Sequence, residues 1–326
     1  MNRIPGTRLL AAIGLSLAAL GAHAQDANFP NKTLTFVVPY APGGSSDTRA
    51  RMLAAKMTPI LGQTIVVLNK AGGGGNIGTD MIAKAPPDGY TFGIGNFAPL
   101  SVNKAMMAKV PFDPAKDLEP ILLIERGPLV LVVPENSPFK NFKDLVAFGK
   151  ANPGKVTFAS AGVGGAYHLA GELLSEATGV TMVHVPYKGG GPATTDLLGG
   201  QVSFMFDMAP AVLPHIKEHK MGALAVANDK RLAQLPDVPT LDELGYKNMS
   251  MSNWFGLVAP AKTPKAIIAK LNDAANKALK DPQVAEAIQG PGNIIGGGTP
   301  EQFNTFVEGE RARWSKVVKD KHITAD

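Results

Sequence analysis

Apolar and polar positions along the chain change their period again and again. A short apolar run from Phe36 stops at Pro39, and Gly43-Gly44 follow. Beyond it Ala50, Leu53, Ala54, Met57, Ile60 and Leu61 recur at the spacing of one helix face. The pattern predicts a strand, a tight loop and a helix, with Ser45, Ser46 and Asp47 at the N-cap and first turn. Gly43 and Gly44 leave the amides ahead of that helix bare, where an anion would meet unpaired N–H groups and the positive end of the helix dipole. A second unit follows: the run Ile65 to Leu68, a loop from Asn69 to Gly75, and a helix through Met81 and Ile82. After the turn Pro86-Pro87-Asp88-Gly89, Tyr90 to Ile94 reads as a third strand, broken at Gly95-Asn96.

The next stretch predicts two strands, Leu118 to Ile124 and Leu129 to Val133, separated by Glu125-Arg126-Gly127-Pro128; a long pair of this kind suits a crossing between domains. Strands and helices then alternate: helix Phe142 to Lys150, strand Val156 to Ser160, a helix with Leu169, Leu173 and Ala177 on one face, and strand Met182 to Val185. A helix starting near Pro192 and stopping at Gly199-Gly200 precedes strands Val202 to Phe206 and Met221 to Val226. Lys230 to Gly245 reads as a proline-rich connector with one short helix. Trp254 to Ala259 is extended, and Trp254 is expected at a second crossing, where it would report domain closure. Two terminal helices, opened by Thr263-Pro264 and by the capping box Thr299-Pro300-Glu301-Gln302, have no predicted strand between them and are expected to cover the first domain. Such alternation predicts an α/β fold with mainly parallel sheets.

Charge and composition narrow the class. Arg3 and Arg8, the apolar run Leu9 to Leu20 and Ala22-His23-Ala24 predict a cleavable secretory leader over residues 1–24, too short for a membrane anchor. The product is expected outside the cytoplasm. About 300 residues remain, enough for two domains; these are expected at 25–122 with 254–326, and at 123–253. The 326-residue chain has no cysteine, which excludes disulfides and thiolate chemistry. Its net charge of +5 includes the two leader arginines, so the rest carries +3, with lysines scattered singly. That is no nucleic-acid footprint.

Catalytic patterns are weak. Gly73 to Gly78 fits G-x-G-x-x-G, but Asn96 to Leu100 offers no acid for a ribose, and no P-loop is present. His215 and His219 have helical i, i+4 spacing without H-E-x-x-H. Neither Ser45 nor Ser160 lies in G-x-S-x-G, and no carboxylate pair flanks a glycine loop. No cofactor and no metal are expected. What remains are three glycine-rich loops at strand ends, two of them opening helices. Those at Gly43-Gly44 and at Gly162 to Gly165 lie in different predicted domains, where a cleft brings strand ends to one small anion. The bare amides of the second loop are expected at Gly162, Gly164 and Gly165.

The runs PYAPGGSSDTRARMLA, VVLNKAGGGGNIGTDMIAKAPPDGYTF, TFASAGVGGAYHLAGELL, HVPYKGGGPATTDLLGGQV, LPDVPT and WFGLVAPAKTP follow one another, over nearly the whole chain, in an order that resembles the substrate-binding proteins of tripartite tricarboxylate transporters, the Bug family. The resemblance implies a periplasmic binding protein, type II-like, of two α/β domains with a cleft and crossing hinge strands. It implies a monomeric receptor, not an enzyme, that takes a small carboxylate and hands it to membrane permease subunits. Members hold the carboxylate by main-chain amides and hydroxyls. Carried over, this points to Tyr40, Pro42, Gly43, Gly44, Ser45 and Asp47 on one side, and to Ala161, Gly162, Gly165, Ala166 and Asp207 on the other, with Asn96 and His168 as further candidates. Asp47 and Asp207 are also readable as structural, and Tyr167 either as shaping the pocket or as packing outside it. The alternatives are a carboxylate sensor without a permease, or an exported enzyme acting on organic acids.

Overall fold

The computed structural model describes residues 28–325. The predicted leader lies outside the described residues. The first unit is β1 (Leu34–Val38), α1 (Ser45–Leu61), β2 (Ile65–Asn69), α2 (Asn76–Ala83) and β3 (Thr91–Asn96), with β2 and β3 parallel to β1 on its two sides. The apolar face of α1 packs inward, and fully buried Leu53 and Met57 contribute about 1.5–3 kcal/mol each. Ile60, expected on that face, is 39% exposed. Instead of breaking at Gly95-Asn96, β3 runs on because those residues pair antiparallel with Gly256 and Phe255.

The short α3 (Asn103–Met106) leads to β4 (Leu118–Pro134), one strand where two were expected. Its polar middle stays in the sheet because Glu125 is neutralised there. Arg49 Nε and Nη2 meet its two carboxylate oxygens at 2.6 and 3.0 Å, and Asn293 Nδ2 adds a third donor at 2.8 Å. Arg126, Gly127 and Pro128 pair with Trp254, Asn253 and Ser252. At Leu129 the partners change: up to Pro128 the strand lies beside β9 (Ser252–Pro260), and from Leu129 onward beside β7 (Phe204–Met208) and β8 (Met221–Ala227). The other strands of this half are β5 (Val156–Ser160) and β6 (Met182–Pro186), giving the order β2-β1-β3-β9-β4-β7-β5-β6.

Two lobes therefore share one curled sheet, and β4 belongs to both. Around the second lobe pack α4 (Phe142–Ala151), α5 (Ala166–Thr178), α6 (Gly190–Leu198) and α7 (Ala209–Lys217). Since α7 ends at Lys217, His219 lies outside it, with φ 53°, and the expected i, i+4 histidine pair does not form on one helix. Turns replace the short helix expected in the 230–245 connector, where Thr240 and Glu243 bond each other's backbone N–H.

The chain returns to the first lobe through β9, α8 (Lys265–Leu279), α9 (Pro282–Gln289), β10 (Ile294–Gly297) and α10 (Pro300–Asp320). A strand does lie between the terminal helices: β10 pairs antiparallel with β4 over Leu123 to Arg126. Two apolar residues before glycines carry too little pattern to reveal it. Thr263 does not cap α8, for its hydroxyl bonds Pro260 O. Trp254 is fully buried against Phe97, Phe303 and Phe306, and its Nε1 donates to Glu310 Oε2 at 3.0 Å. These ring neighbours and the Nε1 acceptor lie in the first lobe.

Candidate functional site

Among the helices that start at the seam between the lobes are α1 and α5. In each, a strand ends, glycines turn the chain, and the helix begins without a side-chain cap: Gly44 is the N-cap of α1, one residue ahead of the expected serine, and Gly165 that of α5. Thr48 N–H is the first amide of α1 to reach a carbonyl, Gly44 O at 3.0 Å, and Leu169 N–H the first of α5, at Gly165 O. The amides before them have no intrahelical acceptor. Between the two starts lies a narrow cavity of about 30 Å³ lined by Tyr40, Ser45, Ser46, Gly74, Asn96, Ala161, Gly162, Gly165, Ala166, Tyr167, Gly190, Asn253 and Phe255. By the same measure a single water needs roughly 10–15 Å³, so the lobes stand nearly closed over it.

Of the residues expected at the site, Tyr40, Ser45, Asn96, Ala161, Gly162, Gly165 and Ala166 line this cavity, and Pro42, Gly43, Gly44, Asp47, His168 and Asp207 do not. Gly43 N–H is not bare, for it donates to Asp47 Oδ2 at 3.0 Å. Burial alone would raise the Asp47 carboxyl, but hydrogen bonds from Arg51, Gly43 and Asn69 hold it below its ordinary value. It braces the loop from behind. The amides of Gly162, Gly164 and Gly165 are also taken, by Ser160 Oγ at 3.1 Å, His168 Nδ1 at 3.2 Å and Gly162 O at 3.2 Å. The free donors of α5 thus begin one residue later than expected, at Ala166 and Tyr167.

His168 serves the loop rather than the cavity. Accepting from Gly164 requires a lone pair on Nδ1, which leaves Nε2 toward Glu172 Oε1 at 3.5 Å. Its ring stacks on His184 with centroids 4.0 Å apart, and His184 Nε2 lies 2.6 Å from Ser160 Oγ. Burial, with His168 beside it, lowers His184 to about 3, so this imidazole is neutral. A serine–histidine contact is present, but its hydroxyl is spent on the Gly162 backbone.

Asp207 sits behind the cavity wall, 1% exposed, against the Tyr167 and Ser45 hydroxyls. Burial raises it to about 6, against the opposing pull of the neighbouring Tyr167 hydroxyl, of the Met208 amide, which donates to Oδ1 at 2.7 Å, and of the Ser45 hydroxyl. Burial and the neighbouring Asp207 charge hold Tyr167 protonated. Asp207, Gly43 and Gly44 border an adjoining cavity of about 180 Å³ with the Arg49–Glu125 pair.

Five lining residues escaped the sequence reading as site residues, Ser46, Gly74, Gly190, Asn253 and Phe255, and Tyr167, open there between shaping the pocket and packing outside it, lines the cavity. Ser46 and Tyr167 were adjacent to expected ones, and Gly74 and Gly190 lie within glycine runs. At Gly74, with φ 61°, a Cβ would fall 2.3 Å from Val163 O on the opposite lobe. Asn253 and Phe255 come from β9, where no local pattern marks them. Every lining side chain is neutral. Hydroxyls, amides and two positive helix ends suit an anion, and no nucleophile–base pair lines the cavity.

A family model, "Tripartite tricarboxylate transporter family receptor", matches residues 49–323. Protein BugT of Bordetella pertussis is 41% identical over 317 residues, 96% of this chain and 97% of that protein. Periplasmic binding protein BugD superposes with a TM-score of 0.87 at 37% identity, covering 91% of this chain and 99% of that one. R. palustris Rpa4515, solved with adipate, gives 0.86 at 34% identity, with 91% and 99% covered.

Proposed function

For a chain that belongs to the receptor family of the tripartite tricarboxylate transporters, we propose the function of an extracytoplasmic receptor. It closes on the carboxylate of a small organic acid and delivers it to the permease subunits. The observation that carries this is the convergence of two uncapped helix starts, α1 and α5, on one neutral-walled cavity. Each helix end contributes about 0.3–1 kcal/mol toward an anion, up to about 2 when partly buried. Hydrogen bonds to a charged group add roughly 1.5–3 kcal/mol each. Two helix ends and a few such bonds support micromolar binding, about −8 kcal/mol, after ordering costs. Adipate on Rpa4515 supports the same ligand class here.

In this reading the protein is exported by a cleavable leader, acts as a monomer, needs no metal or cofactor, and turns over no substrate. The lobes divide where β4 changes partners, between Pro128 and Leu129, and where the connector enters β9, near Met251 and Ser252. Isothermal titration with adipate and with other acids, chosen by a thermal-shift screen of mono-, di- and tricarboxylates, tests it. Saturable micromolar binding, equal with and without chelator and with the acid recovered unchanged, is the expected outcome. A screen in which no acid raises the melting temperature refutes the reading.

A further inference from the structure

Where the lobes meet beside the cavity, they touch through backbone. The loop after β1 lies against the turn that opens α6: Ala41 N–H donates to Lys188 O at 2.8 Å. On Gly191, a Cβ would fall 2.3 Å from Pro42 O and 3.2 Å from Gly43 C. On Gly44, it would fall 3.1 Å from the amide nitrogens of both Gly190 and Gly191. The cavity's opposite flank repeats the arrangement, with Gly74 facing Val163 O and Gly164 facing the Asn103 side chain. None of this is demanded locally at Gly191, whose φ lies outside the left-handed region and which sits in the first turn of a helix that alanine would favour.

We propose that Pro42–Gly44 and Gly189–Gly191 form a backbone-to-backbone latch that lets the lobes close over the ligand, and that Gly191 is a positioning residue for capture. This rests on the receptor reading above. A methyl at Gly191 has nowhere to go while Pro42 O is in place, because the backbone fixes the direction of the Cβ and Pro42 O is itself backbone, not the flexible end of a side chain. In a parted molecule the same methyl meets solvent. The side chain that would strengthen α6 is therefore the one that keeps the lobes apart, so closure and stability of the open molecule respond in opposite directions.

The mature protein, Gly191→Ala and a control, Gly199→Ala, separate the two. At Gly199, on the far end of α6, a Cβ meets only atoms of its own lobe, none nearer than 3.5 Å. Small-angle scattering and titration calorimetry, with adipate as probe, read closure and affinity, and the melting temperature without acid reads folding. Gly191→Ala is expected to melt at or above the wild-type temperature, to show no compaction with adipate, and to bind at least tenfold more weakly, while Gly199→Ala behaves as wild type. Compaction and affinity equal to wild type in Gly191→Ala overturn the latch. Should Gly191→Ala fail to fold, Gly44→Ala, whose extended backbone accepts a side chain, is expected to lose affinity in the same direction, and unchanged affinity there overturns the latch. If wild type neither binds nor compacts with adipate, the receptor reading fails for that acid. The latch is then decided with an acid from the thermal-shift screen that does compact the wild type, where absence of compaction in Gly191→Ala supports it and equal compaction overturns it.

Discussion

Tyr40 donates its hydroxyl proton to Asn96 Oδ1 at 2.7 Å, between two side chains that both line the cavity. Burial holds the phenol protonated. With Oδ1 taken by Tyr40, Asn96 presents its Nδ2 hydrogens as the group left for an acceptor. The pair fixes one donor direction at the ends of β1 and β3.

Tyr40→Phe keeps the ring and removes that constraint. Carboxylate affinity should fall about tenfold, or 1.4 kcal/mol, while unfolding free energy falls by only about 0.5–1.5 kcal/mol. Calorimetry beside urea denaturation separates the two, and affinity within twofold of wild type places the ligand away from Asn96.

The backbone amide of Ala166 can be deleted without a side-chain probe. Ala166 is the first residue of α5, a position that accepts proline, and Gly165 before it is extended at φ −71°, ψ 162°. Ala166→Pro should preserve the far-UV spectrum and melting temperature and weaken acid binding by tenfold or more. Full affinity in the folded variant would assign the anion to α1 alone.

Asp207 makes stability depend on pH. Because burial raises this acid from 3.8 to about 6, the native state keeps its proton where the unfolded chain has already lost it. The contribution of Asp207 to stability is therefore fully present below about pH 4 and is lost as pH rises through 6. The gap corresponds to roughly 3 kcal/mol. Asp207→Asn should flatten the stability profile between pH 4 and 6 and raise stability at pH 7. An unchanged profile would mean that Asp207 ionises freely in the folded protein.

The Arg49–Glu125 pair, 4% and 1% exposed, ties α1 to β4. Glu125→Ala leaves a buried guanidinium without its partner and should cost about 3–5 kcal/mol in urea unfolding. Replacing both residues with apolar ones of similar volume should cost much less, and equal losses in the single and double variants would show that packing, not charge, holds this contact.

Much of this protein is written in local sequence. Strand, glycine turn and helix follow from period changes at Phe36, Gly43 and Ala50, and again at Val156, Gly162 and Leu169, because one turn of backbone geometry decides which residues share a face. Seven cavity-lining residues were named through the family resemblance, and they stand at the strand ends and helix starts that the periodicity marks. Tertiary structure decided what no neighbouring residue dictates. Glu125 stays in a continuous β4 because Arg49 arrives from 76 positions away. Ile294 and Ile295 become a strand because the edge of β4 is open to them. Asn253 and Phe255 reach the cavity because β9 runs beside β3 and β4. The glycine amides expected to face a ligand are instead consumed by Ser160, His168 and Asp47, since a hydrogen bond goes to whichever acceptor the fold brings within 3 Å or so. Periodicity reports which face of an element is buried, but not what it is buried against.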